Sequence, residues 1–371
     1  MPPHDACDNT HPSLQRSFDV ATIQSQFEEF NNIIRLRRFD ENEILREKRD
    51  IIRKKLEKRL PEVFAAHDET CPTFYFLDQG SYAMNTGIKP LDGDFDIDQG
   101  LYFEISIDAY PDPVMLKERV HEALYGHTDD VCIRRSCVTV FYHCDGEPIY
   151  HVDIAIYSDK AHNADGKSYT AKGKQYSTPA HRFWKVSDPE QLTIVLFAKF
   201  SEADRPQFRR IVRIWKRWRA WNFSKDGNGA PNGIGLTVAA YDRLRPAYSD
   251  PITGKHDDLY AMRQLIEDTL SRFTTVWDNN AQASVQRLII TLPIEPYTDL
   301  FAAMTPKQME VFEQELKTLK EALIYAEQKT TDPTAACERL RQVFGDDFPV
   351  PEKKETAVTH PPAMTSSGNS A

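Results

Sequence analysis

The sequence predicts a bilobal α+β protein, in which a core built on a mixed sheet is preceded by a long N-terminal helix and followed by a helical second lobe. Three observations carry this. Apolar residues recur at helical spacing through Phe27, Phe30, Ile33, Ile34, Ile44, Ile51, Ile52 and Leu56. Short runs of period-two or continuous apolar character fill residues 73–157. Helical patterns dominate from Ser187 onward, and 371 residues are enough for two cores.

The elements follow in chain order. Residues 1–18 are polar and contain proline, and are expected to be disordered. Residues 19–60 read as one long amphipathic helix, or the same helix broken, that braces the lobes and ends near Pro61; its many Lys and Arg alternate with Glu and Asp, the pattern of a solvated face with i,i+4 pairs. Residues 61–180 form the sheet core, with strands over 74–77, 95–103, 131–142 and 149–157 and a helix over 114–124. A polar connection over 160–175 leads to Ser187-Asp188-Pro189, a capping side chain followed by a first-turn proline. Helices over 189–200, 208–222, 234–244, 257–273, 306–327 and 333–343 make residues 181–349 an all-helical domain. Residues 350–371 are poor in apolar side chains and are expected to be a disordered tail.

Composition bounds the function. The 46 Lys and Arg against 56 Asp and Glu leave a net charge of −10, which argues against holding long nucleic acid through a globally basic surface. No stretch approaches the roughly 18–20 apolar residues of a membrane span, and residues 1–10 carry no apolar signal run. With 6 irregularly spaced cysteines, the expectation is reduced thiols and a cytoplasmic location without membrane contact.

The chemistry concentrates in two places. Gln79-Gly80-Ser81 stands at a strand-to-helix turn, where backbone N–H groups and the Ser81 hydroxyl can approach phosphate oxygens. Asp96 and Asp98 then lie two apart on a strand, so their side chains share one face. A third carboxylate, Asp153, sits inside an apolar strand run, where burial without a cation or hydrogen-bond partner is costly. Three carboxylates on adjacent strands suit two Mg²⁺ ions, with Mn²⁺ as the alternative, because hard oxygen donors select these over zinc. The plain alternative for this acidic stretch is a turn and exposed edge strand, and Asp94 is assigned to the turn.

These residues resemble the active-site motifs of the CD-NTases, the bacterial cGAS-like nucleotidyltransferases of the polymerase-β superfamily. The resemblance rests on Gln79-Gly80-Ser81, Thr86, Asp96-Ile97-Asp98-Gln99-Gly100 and His151-Val152-Asp153. It continues through residues 214–219, which contain Lys216, and 229–233, and covers residues 20–348. It implies a polymerase-β-like nucleotidyltransferase that makes a cyclic oligonucleotide second messenger from ATP and GTP in antiphage signalling. A purine cyclic dinucleotide such as cyclic GMP-AMP is the expected product, with a cyclic trinucleotide as competitor, and a downstream effector reads that product. The resemblance also implies that Asp96 and Asp98 bind both metals and that Asp153 joins one of them. Gln79, Gly80, Ser81, Thr86 and Lys216 would face the nucleotide. Ser187 and Asp188 match a segment near it, although helix capping alone explains them. A ubiquitin-ligase-like conjugation partner is compatible with the small C-terminal residues 368–371, whose composition a passive linker shares.

Other signals have plainer readings. Arg210, Arg213, Arg217 and Arg219 read as a solvated helix face. Cys132, Cys137, His143 and Cys144 lie in strand-like sequence, and buried thiols explain them better than zinc. Tyr82, Tyr142, Tyr157 and Trp184 offer rings for a base, yet strand aromatics are more often core. Addition of nucleotides to RNA or protein, and a silent scaffold, are the competing functions.

Overall fold

The computed structural model describes residues 22–36, 41–91, 93, 95–144, 147–223, 229–279 and 282–352. The expected disordered N-terminus, all but the start of the expected C-terminal tail, and the Asp94 turn lie outside the described residues.

The N-terminal helix is broken into two, α1 (Gln24–Ile34) and α2 (Glu41–Ala66). Their apolar faces seek different partners. Phe27, Phe30 and Ile34 of α1 are fully buried in the helical lobe, with Phe27 and Phe30 against Phe344 and Phe348, whereas Ile52, Leu56 and Phe64 of α2 pack on the sheet. A single straight helix could not serve both surfaces. Pro61 does not end α2, which continues to Ala66. An interior proline costs about 3 kcal/mol, and burial of Val63 and Phe64 in the turn beyond it offsets that at about 1.5–3 kcal/mol each.

The sheet follows. β1 (Phe74–Asp78) leads through a single helical turn, α3 (Gly80–Ala83), to β2 (Phe95–Phe103). Helix α4 (Val114–Leu124), then β3 (Asp130–Ile133) and β4 (Val138–Cys144), carry the chain to β5 (Glu147–Ser158). The strand order is β1-β2-β5-β4-β3, and the central β2–β5 pair is parallel while its neighbours are antiparallel. Alternation sends Leu101 and Phe103 with Val152, Ile154 and Ile156 into the core under α2 and α4, and Ile97 is buried on the same face. Asp96 and Asp98 with His151 and Asp153 therefore project from the other face.

The polar connection adds two strands, β6 (Tyr169–Lys172) on β5 and β7 (Phe183–Val186) on β6. The helical lobe contains α5 (Pro189–Ala198), α6 (Arg205–Asn222), α7 (Gly233–Arg243), α8 (Asp258–Leu270), α9 (Pro306–Ile324) and α10 (Pro333–Phe344) around Trp215, Trp218 and Phe312. It is not all-helical. Two short hairpins, β8 (Tyr248–Asp250) with β9 (Lys255–His256) and β10 (Thr274–Asp278) with β11 (Ala283–Arg287), occupy the connections between the expected helices. Thr274-Thr275-Val276-Trp277, just past the expected helix over 257–273, is β-branched and aromatic, a strand preference.

Candidate active site

Gly80 fixes the first part of the site. It sits just past β1 with φ +65°, and a Cβ there would lie 1.9 Å from Asp98 Oδ2. Only glycine allows both the left-handed backbone and the close carboxylate. The segment after α3 is gripped from two sides. Leu36 N–H donates to Gly87 O at 3.2 Å and Lys89 N–H to Ile34 O at 2.8 Å. From α6, Arg213 donates to Asn85 O at 2.6 Å, Lys216 to Thr86 O at 3.3 Å and Oγ1 at 3.2 Å, and Arg217 to Lys89 O at 2.9 Å. Spacing of i, i+3 and i+4 puts the three donors on one helix face. Arg213 and Arg217 are buried, so the solvated-face reading is corrected for them; Arg210 likewise bonds Asp258 at 2.7 Å.

The carboxylates come from the parallel pair. Register sets Asp96 beside His151 and Asp98 beside Asp153. Thr139 on β4 donates to Asp153 Oδ1 at 2.5 Å, and His151 Nε2 lies 3.3 Å from Asp96 Oδ1. Ligand atoms of Asp96, His151 and Asp153 all lie within 4.8 Å of one another. Asp98 stands apart from that trio, against Gly80. Burial, then the charges of Asp96 and Asp153, push the Asp98 carboxyl up to about 7, against the opposing pull of Lys216 and His151. Burial also pulls the Lys216 ammonium down to about 8. Three carboxylates and an imidazole gathered on one sheet face offer the donors that suit a divalent cation.

A cleft of about 520 Å³ opens on this face, lined by Gly80, Ser81, Thr86, Asp96, Asp98 and Lys216 at its polar end and by Leu36, Ile88, Phe223 and Ile234 elsewhere. Asp153 adjoins it through the ligand trio. Gln79 is buried behind α3, where its Oε1 accepts from the Tyr157 hydroxyl at 3.0 Å. Ser187 meets the same hydroxyl, and Asp188 caps α5 by accepting from Gln191 N–H at 2.9 Å; neither lines the cleft. Tyr157 stacks on Tyr102 at 4.4 Å and Tyr102 on Tyr75 at 5.2 Å, a ladder that fills the sheet face rather than the cleft. Tyr142 pairs with His127 and Trp184 with the Tyr110 carbonyl. Tyr82 borders a smaller recess of about 170 Å³ behind Ser81.

Sequence reasoning gives His151 no role, although its position two before Asp153 on the same strand already puts it on the acidic face. The α6 clamp has a signal too, in the spacing of Arg213, Lys216 and Arg217.

The family model described as "Cyclic GMP-AMP synthase DncV-like, nucleotidyltransferase domain" matches residues 74–157, from the start of β1 to the end of β5. Over that span the chain resembles the DncV-like nucleotidyltransferase domain. Solved CD-NTases share the fold well beyond that span. The chain is similar to Bradyrhizobium diazoefficiens CdnG in complex with GTP, at 16% identity and TM-score 0.63 over 88% of this chain and 96% of that one. It is similar to Escherichia coli MS115-1 CdnC with ATP, at 16% identity and TM-score 0.58 over 88% and 98%. GTP-bound Vibrio cholerae DncV aligns at 19% identity and TM-score 0.57 over 88% and 86%. The CD-NTase fold is the polymerase-β-like α+β fold expected from the sequence. Among the described residues, no helix is long and apolar enough to cross a membrane.

Proposed function

We propose that this chain is a CD-NTase that joins nucleoside triphosphates into a cyclic oligonucleotide, with a purine cyclic dinucleotide such as cyclic GMP-AMP as product and antiphage signalling as its setting. The observation that carries the reading is the meeting of Gly80-Ser81 with Asp96 and Asp98 at one end of a cleft of about 520 Å³, with Asp153 adjoining through the strand pair. The domain match and the GTP- and ATP-bound neighbours support it.

Asp96, Asp98 and Asp153 would hold two Mg²⁺ ions, or Mn²⁺; once bound, these supply charge neutralisation for the triphosphate and a lowered pKa for the attacking hydroxyl. The protein's own groups do the rest by positioning. The α3 turn presents backbone N–H groups and Ser81 Oγ to phosphate oxygens. Lys216, held on Thr86 at the cleft floor, adds a cation whose charged form the triphosphate favours. A ribose hydroxyl attacks the α-phosphorus, a new P–O bond forms as the α–β P–O bond breaks, and the hydroxyl proton and pyrophosphate depart. A second round closes the ring.

The test uses full-length protein with the four labelled nucleoside triphosphates and Mg²⁺ or Mn²⁺, followed by phosphatase and mass spectrometry. A phosphatase-resistant cyclic species, absent from the Asp96→Ala/Asp98→Ala variant, is expected. Label transferred to RNA or protein instead would overturn the reading in favour of nucleotide addition to a macromolecule.

A further inference from the structure

We propose that His151 is a metal ligand, its imidazole nitrogen joining Asp96 and Asp153 as a third protein donor to one divalent cation and shifting that position from Mg²⁺ toward Mn²⁺. The inference rests on the reading of the cleft as a divalent-metal site and concerns which side chains complete it.

The parallel register makes Asp96 and His151 cross-strand neighbours, with Asp153 following two residues on along β5. Donor atoms of these three residues converge within 4.8 Å. Asp98 Oδ2 packs close on Gly80, and the nitrogen of His151 adds a further donor beside the carboxylates. The ring is also held. It packs on Phe141 at 5.6 Å, and its side chain is only 18% exposed. Thr139 fixes Asp153 from the far strand.

A hydrogen bond that merely steadies Asp96 is the plain alternative, and the 3.3 Å from Nε2 to Asp96 Oδ1 suits either role, which the nitrogen signal at a bound ion separates. Mg²⁺ favours oxygen donors throughout, whereas a softer first-row ion accepts imidazole more readily. A histidine in the trio therefore biases ion choice without removing the carboxylates that hold either ion.

Pulsed electron paramagnetic resonance of Mn²⁺ bound to the full chain, without nucleotide, tests this directly. Nitrogen modulation is expected in the parent, converting to the ¹⁵N pattern when the protein is labelled with ¹⁵N-histidine. His151→Asn and His151→Gln, checked for an unchanged melting temperature, should abolish it and weaken Mn²⁺ binding by about tenfold or more. Competing Mg²⁺ affinity should change far less. Bound Mn²⁺ with no histidine modulation would overturn the ligand role while leaving the carboxylate site standing. Failure to bind Mn²⁺ at all would overturn both that role and the metal reading beneath it.

Discussion

Two groups in the cleft carry protonation behaviour that the proposed chemistry uses. The Asp98 carboxyl, raised to about 7, binds its proton more tightly folded than unfolded. Its contribution favours the fold at low pH and is lost as pH rises from about 4 to about 7. Asp98→Asn removes that loss, so the metal-free variant should melt higher than the parent at pH 7.5, by a margin that shrinks toward pH 5. Mg²⁺ should stabilise the parent more at pH 7.5 than at pH 5, and the variant far less at either; thermal unfolding across pH checks both. Lys216 runs the other way. Pulled down to about 8, it is mostly neutral in the free protein at pH 8.5, and a triphosphate restores its charge. Nucleotide binding at that pH should take up a proton in the parent and not in Lys216→Met, read by calorimetry in two buffers of different ionisation enthalpy. Gly80→Ala places a methyl on the Asp98 carboxylate and forces a left-handed alanine, at a backbone cost of about 1–2 kcal/mol. Activity should fall by about a hundredfold or more, the range for misplacing reacting groups, with a much smaller loss of stability.

The element that organises the site is α6. One face inserts Trp215 and Trp218 into the lobe core, and the adjoining face sends Arg213, Lys216 and Arg217 to three successive parts of the segment after α3. Arg213 also donates to Asn31 of α1 at 2.8 Å, so one guanidinium joins α1, α6 and the cleft. Arg213→Met leaves the Asn85 carbonyl and the Asn31 side chain without that donor, each loss worth about 1–3 kcal/mol when buried. Chemical denaturation should show the stability loss, and the Michaelis constant for nucleoside triphosphate should rise because the Ser81 turn loosens. Legibility in the sequence divides along these elements. Residues 95–103 and 114–124 emerge as β2 and α4 with the expected bounds, because a local apolar period fixes each. The Asp188 cap is equally local. The division of α1 from α2, the hairpins and the burial of Arg213 depend on partners far along the chain, which a helical period does not encode. That Asp96 and Asp98 share one strand face was legible because strand alternation is local; the approach of Asp153 and His151 to them needed the parallel register of β2 and β5.

At the scale of the molecule, an acidic chain concentrates positive charge in the cleft wall. The net charge is −10, yet Lys216 and Arg219 line the cavity and Arg213 and Arg217 lie just behind it. Such focusing favours a small polyanion at that point over a long polyanion across the surface. Duplex DNA should compete weakly with nucleoside triphosphate for the cleft, a difference that fluorescence titration at fixed salt resolves. The sheet supplies carboxylates, the helical lobe supplies cations and the apolar wall, and the segment from Asn85 to Lys89 is where the two halves are stitched together. The central claim is that these carboxylates beside Gly80-Ser81 transfer a nucleotidyl group. Pyrophosphate release from ATP, GTP, CTP and UTP with Mg²⁺ or Mn²⁺, measured for the parent and for Asp153→Asn, tests it most directly. The account predicts release by the parent and a drop of about a hundredfold or more in a variant that still folds. Undiminished release by the variant, or none by a parent that binds nucleotide and metal, would contradict it.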